Sequence, residues 1–338
     1  MPSFPGKRVA LIVGGVTPDD IIPTSEVELI DLDDPTTTCR PTAPYPISGG
    51  IAAGVGLLVD SLMPSVCGGI VSKTSVSDCY GYSFANVWTN LNNLLGTMTV
   101  PRQEFAGIVM DDYLVALSGG AKTTQSGGVE NFWKSSELAQ AYDGGGFNRG
   151  PDLPTENFGH CMVALDSSRV FIAGGFFTPN TAYVYDMETA TLSEPLTIPE
   201  PHSSHACGSF KNATTGQTEV VVVGGDDGIS RSNSSLGLQE DILGRGAKDE
   251  THIFSPSSMT FREGPRFPFA VSYASAIQDG GDSFIVTGGT DGAIISDLLV
   301  RFDAATETFQ VMTQRMAIPR SQHMAVYVDI GGLSDICA

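Results

Sequence analysis

Basic residues are scarce in this chain of 338 residues: 18 Lys and Arg stand against 38 Asp and Glu, giving a formal net charge of −20. A surface of that sign repels nucleic-acid phosphates and anionic membranes over about a Debye length, so phosphate-backbone binding is the use it fits least. Charge of either sign is thin, 17% of residues against 41% hydrophobic ones, which is the balance of a folded globular chain rather than a disordered one. Long apolar runs are missing too, and no stretch approaches the ~20 residues that span a bilayer. The opening MPSFPGKRVALIV has neither h-region nor cleavage site, which reads as a cytosolic chain or as a mature form after signal removal. There is no phosphate loop, His-Glu-x-x-His, Gly-x-Ser-x-Gly, dinucleotide fingerprint, or Cys-x-x-Cys or Cys/His zinc spacing. The acidic groups Asp31/Asp33/Asp34, Asp111/Asp112 and Asp226/Asp227 lack EF-hand spacing and read as solvated turns.

What the chain does have is a repeated pair of glycines after a short apolar run. The pairs are Gly14-Gly15, Gly68-Gly69, Gly119-Gly120, Gly174-Gly175, Gly224-Gly225 and Gly288-Gly289, spaced 50 to 64 residues apart. VALIVGG, PSVCGG, YLVALSGG, RVFIAGG, VVVVGG and SFIVTGG read as buried strands ending at a tight exit where a Cβ would clash. After each pair comes a polar loop, then a strand often carrying Tyr and Asp, then a turn and an aromatic position, as in AYVYDMETATL and LVRFDAATETF. Before each pair lies another apolar strand, as in PRQEFAGIVM and PRSQHMAVYV. Four strands per repeat, six repeats and no convincing helix predict an all-β, six-bladed β-propeller spanning 1–338 as one domain. The first repeat lacks its upstream strand, whereas SQHMAVYVDI is spare at the C-terminus. Residues 320–330 are therefore expected to pair beside Val9 and close the ring, burying two strand edges.

The paired glycines, the Tyr/Asp strand, the outer-strand aromatic and the Pro-Arg-x-x-His opening at Arg320 and His323 together resemble kelch repeats, over the whole chain. Only Trp88 keeps the outer-strand tryptophan; Cys39, Phe147, Leu192, Phe261 and Phe309 stand near that position elsewhere. The resemblance implies that the loops after the glycines and those entering the inner strands share one functional face. Around its channel mouth it places Ser48, Arg102, Asn157, His202 and Arg320, with Asp226, Asp227 and Asp291 from the post-glycine loops, as ligand-binding candidates. Arg102 and Arg320 are either a grip for an anion or repeat-signature residues tied to neighbouring turns. Phe105, His160, His205, Tyr273 and His323 are candidates to line the channel; the histidines read as packing residues bonded to a neighbouring blade rather than as a metal triad. No cofactor is predicted, with copper and iron left open.

Six cysteines permit fifteen connectivities. On the propeller frame, Cys67 and Cys79 fall on neighbouring strands of one sheet, and Cys39 and Cys337 meet near the seam, so both pairs are expected to be disulfides. Cys161 and Cys207 sit one step out of phase on inner strands of different blades and read as buried thiols. The CysGlyGly and CysTyr segments resemble extracellular animal kelch proteins, and Asn212 and Asn233 open glycosylation triplets, which favours secretion. The expected function is that of a monomeric, secreted propeller binding a protein or small ligand on the double-glycine face and channel mouth. The alternatives are a secreted oxidase or cofactor-free oxygenase of luciferase type and, less favoured, an intracellular adaptor. The long segment Asp226 to Glu250 is expected to rise from the same face, either folding over the mouth as a lid or standing as a solvated insertion.

Overall fold

The computed structural model describes residues 7–18, 23–37, 39–47, 50, 53–58, 63–110, 114–123, 129–140, 146–228, 246–279, 282–329 and 336–337. Among them there is no helix, and the strands form six blades around a central channel. From inner to outer strand, blade 1 is Met324–Asp329, Arg8–Val13 and Val27–Asp31. Blade 2 is Val55–Leu58, Pro64–Cys67, Cys79–Ser83 and Val87–Asn90. Blade 3 is Ala106–Met110, Leu114–Ser118, Ser136–Gln140 and Asn148–Arg149. Blade 4 is Cys161–Ala164, Arg169–Ala173, Thr181–Asp186 and Thr191–Leu192, with Leu196–Thr197 also beside the third strand. Blade 5 is Ala206–Lys211, Thr218–Val223, Thr251–Ser255 and Thr260–Glu263; blade 6 is Ser275–Gln278, Phe284–Thr287, Leu298–Asp303 and Thr308–Arg315. Each inner strand touches the next, from blade 1 round to blade 6 and back.

The strands before the glycine pairs are unbroken apolar runs because both of their faces are buried. In Arg8–Val13, the alternate residues Val9, Leu11 and Val13 pack toward Val66 and Tyr82 of blade 2. Ala10 and Ile12 pack toward Ile277, Ile285 and Leu299 of blade 6. One strand thus serves two inter-blade cores. All the paired glycines have φ between 58° and 100°, the left-handed region that a Cβ disfavours.

Closure follows the expected course, with Val9 opposite Val328 and Val13 opposite Met324 in an antiparallel register. At the outside of blade 1, Arg40 N donates to Ile336 O at 2.9 Å, and Cys39 is disulfide-bonded to Cys337 across 298 residues of sequence. Cys67 is bonded to Cys79, its direct partner in register. The third pair corrects the sequence reading, because Cys161 and Cys207 are not thiols but a disulfide joining the inner strands of blades 4 and 5. Side chains alternate along a strand, so Cys161 faces blade 5 with Val163, and Cys207 faces blade 4 while Ala206 and Phe210 face blade 6. The one-step offset is what turns the two sulfurs toward each other.

Candidate binding faces at the two ends of the channel

At the double-glycine end, the residues expected to grip a ligand are engaged in holding the blades. Arg102 is 0% exposed: Nη2 pairs with Glu137 Oε1 at 2.6 Å, and Nη1 donates to Ser135 O at 3.0 Å and to Gly119 O. Arg320, 1% exposed, repeats the pattern in blade 1, donating to Gly14 O at 2.8 Å and Glu26 O at 2.7 Å beside Glu28. Asn157 Nδ2 reaches Gly174 O at 2.7 Å in blade 4, and His202 Nδ1 lies 2.6 Å from Gly224 O in blade 5. In four blades, then, the same position binds the carbonyl of its own blade's first glycine. Its backbone carbonyl meanwhile accepts from the preceding blade's second glycine, as in Gly69 N to Arg102 O at 2.7 Å and Gly289 N to Arg320 O at 2.9 Å.

The carbonyl of Gly224 can only accept, so His202 Nδ1 carries the proton and Nε2 accepts from His252 Nδ1 at 2.9 Å. Burial pushes His202 down to about 4, which keeps that chain neutral near pH 7. Asp226 Oδ1 caps Gly228 N, and Asp291 Oδ1 accepts from Ala293 N and Ile294 N at 2.8 and 2.7 Å; these two backbone donors, Ile294 foremost, hold Asp291 below the usual carboxylate range. Both aspartates fix turns. Asp227 is half-buried beside Asp226 in the same loop. Asn212 lies on the turn after the inner strand of blade 5, where its Oδ1 accepts from Thr214 N and Thr215 N. Ser48 and Asn233 lie outside the described residues, as do residues 229–245 of the expected lid.

The rings of Phe105, His160, His205 and His323 lie between blades, each against the first glycine of the preceding blade: Gly68, Gly119, Gly174 and Gly288. His160 Nε2 meets Ser118 Oγ at 2.9 Å and His323 Nε2 meets Thr287 Oγ1 at 2.8 Å, in both cases the residue just before the glycine pair. For His205 the residue at that position is Ala173, and neither of its ring nitrogens has a hydrogen-bond partner among the described residues. Burial lowers His160 to about 4, His323 to about 3 and His205 well below its ordinary value. These histidines sit at different joints, and among the described residues no three His, Cys, Asp or Glu converge on a metal position.

Tyr273 stands one step from the place expected for it. Ala274 follows it at the inter-blade position, while Tyr273 joins a ring that the sequence reading missed. Ala53, Glu104, Gly159, Ser204, Tyr273 and Gln322, one per blade, all have φ between 47° and 63°. Their backbones form a closed cycle: Ala53 N donates to Gln322 O (2.7 Å), Gln322 N to Tyr273 O (3.0 Å), Tyr273 N to Ser204 O (2.7 Å), Ser204 N to Gly159 O (2.8 Å), Gly159 N to Glu104 O (2.8 Å), and Glu104 N to Ala53 O (2.5 Å). This cycle narrows the channel at the double-glycine end.

Beyond the ring, toward the opposite face, the channel widens into a cavity of about 500 Å³. Its level nearest the ring is set by Gly56, Gly107, Met162, Cys207, Ala276 and Ala325; Asp166, Lys211, Thr218 and Asp282 lie toward the far mouth. The inner strands present an unpaired backbone edge here, so the wall offers amide and carbonyl groups between apolar side chains.

A second feature of the double-glycine face is aromatic. Phe176 and Phe177 follow Gly174-Gly175, and with Phe132 and Phe158 they form one cluster. Phe158 stacks on Phe132 (5.1 Å between centroids) and on Phe176 (4.8 Å), while Phe177 meets Phe132 edge-on at 4.9 Å. Phe177 is 42% exposed. The run Gly-Gly-Phe-Phe is a visible signal, since two large apolar residues directly after a surface turn have no blade to enter. The chain matches no protein-family model and no curated protein.

Proposed function

We propose that this chain is a secreted kelch-type propeller that binds a protein ligand on its double-glycine face, through the phenylalanine cluster rather than through the arginines. The exposed Phe177, backed by three further rings, is the observation that carries this reading. A rigid aromatic platform of this kind is the usual centre of a protein-binding hot spot. The neighbouring loop brings Asp226 and Asp227 close, with Gly228 lying against Phe176. In a chain of net charge −20, that favours a partner segment with an apolar or aromatic anchor flanked by Lys or Arg. The three disulfides, with no cysteine left free, are the composition of an oxidising compartment and support secretion.

Random-peptide display on the folded protein tests the reading. Selected peptides should share an aromatic or leucine anchor next to basic residues, and Phe177→Ser should weaken them by about tenfold or more, the effect of losing a central aromatic anchor. Acidic consensus peptides, or affinities unchanged by Phe177→Ser, would overturn it.

A further inference from the structure

The three disulfides differ in what reaches them. Cys67, Cys79 and Cys337 are 0% exposed, and Cys39, partly buried as Cys207 is, sits at the outer seam and not beside the cavity. Cys207 is only partly buried and forms part of the cavity wall, with Ser209 and Lys211 on the same face of its strand leading to the far mouth. Cys161, its partner, is 8% exposed and packs among Val163, Val220 and Val222. The cavity thus borders Cys207 and not Cys161.

The same joint also differs from the two others that carry an imidazole at this position. Between blades 3 and 4 and between blades 6 and 1, an imidazole bonds to a hydroxyl across the gap. Between blades 4 and 5 that bond is missing among the described residues, because the residue at that position is Ala173, and the disulfide crosses the same gap.

We propose that the cavity is a thiol–disulfide exchange site, in which a low-molecular-mass thiol of the cysteine or glutathione type enters from the far mouth and attacks Cys207 Sγ. Its size falls in the roughly 300–1,000 Å³ range of small-molecule pockets, and the mouth carries both signs of charge, Lys211 against Asp166 and Asp282, suited to a zwitterion. The incoming thiolate forms a bond to Cys207 Sγ as the Cys161–Cys207 bond breaks, and Cys161 leaves as a thiolate that takes a proton from water. A second thiolate attacks the sulfur of the bound thiol, releasing Cys207 as a thiolate and a small-molecule disulfide. Two electrons pass from two small thiols to the protein. The product is a propeller whose fourth and fifth blades have lost their covalent tie.

The test is timed exposure of the folded, oxidised protein to reduced glutathione, followed by alkylation and mass-spectrometric mapping. The first adduct should lie on Cys207, with Cys39–Cys337 and Cys67–Cys79 intact. Ser209→Trp, which fills the approach to Cys207, should slow that step by about tenfold or more while leaving the other two bonds unchanged, since exchange rate depends on access. On the unaltered protein, a protein-sized dithiol such as reduced thioredoxin should lose the preference for Cys161–Cys207 that glutathione shows. A first adduct on Cys161, earlier opening of Cys39–Cys337 by glutathione, or the same preference from both reductants would overturn the proposal.

Discussion

The two ends of the channel are built on opposite terms. At the double-glycine end, charged and polar side chains are numerous but enclosed: Arg102 and Glu137, 0% and 1% exposed, have no face left for a ligand. At the far end, the polar side chains are open to the cavity mouth, and among the described residues the Lys211 ammonium meets a hydroxyl, Thr218 Oγ1 at 2.8 Å. The residues that repeat most faithfully from blade to blade are thus joinery. What departs from the repeat, the Phe cluster with its exposed Phe177 and the cavity wall with Cys207, carries the two proposals.

The comparison breaks most completely if the ring opens. Deleting residues 320–338 removes the inner strand of blade 1 together with Arg320 and Cys337, and should abolish cooperative thermal unfolding and give aggregates on size-exclusion chromatography. A smaller, sharper contrast comes from one substitution at each end. Arg102→Ala strands the buried Glu137 charge and should cost about 3–5 kcal/mol in urea unfolding, whereas Lys211→Ala should stay within ~0.5 kcal/mol.

Acid should act on the joints through their histidines. The unfolded chain binds protons near each histidine's ordinary value of ~6.5, but buried His160 and His202 stay neutral down to about 4. Stability should accordingly fall as pH drops from about 6.5 to about 4, by ~1.4 kcal/mol per pH unit for each such histidine. His205→Phe, which copies Phe105 and gives up no hydrogen bond, should flatten that decline by one histidine's share without loss at pH 7. The smallest effect is a gain: Ala173→Ser offers His205 the hydroxyl that Ser118 gives His160, and should add about 1 kcal/mol.

Much of the frame was legible because each double glycine marks a backbone conformation that other residues avoid, so the blades could be counted and the seam located. Cys67 and Cys79 were legible for the same local reason. The Cys161–Cys207 bond was not, because a one-step offset looks like a mismatch until the alternation of faces across two adjacent sheets is considered. For the arginines the sequence reading left two alternatives, of which the tie to neighbouring turns is the one seen, and it could not name the partner, since Glu137 lies on a strand 35 residues from Arg102 and nothing in the local sequence pairs them. Tyr273 was misplaced because the loop entering blade 6 lacks the polar signature residue, leaving no mark from which to count.

The cycle through Ala53, Glu104, Gly159, Ser204, Tyr273 and Gln322 has no first or last member. Every amide in it donates in the same rotational sense, so the cycle closes only when the sixth blade has arrived, and losing any one blade breaks two of its links. Hydrogen exchange should therefore see these six amides as a single cohort, opening with the free energy of the whole ring rather than of any blade. A protein assembled from six modules thereby carries, at its axis, one element that belongs to none of them.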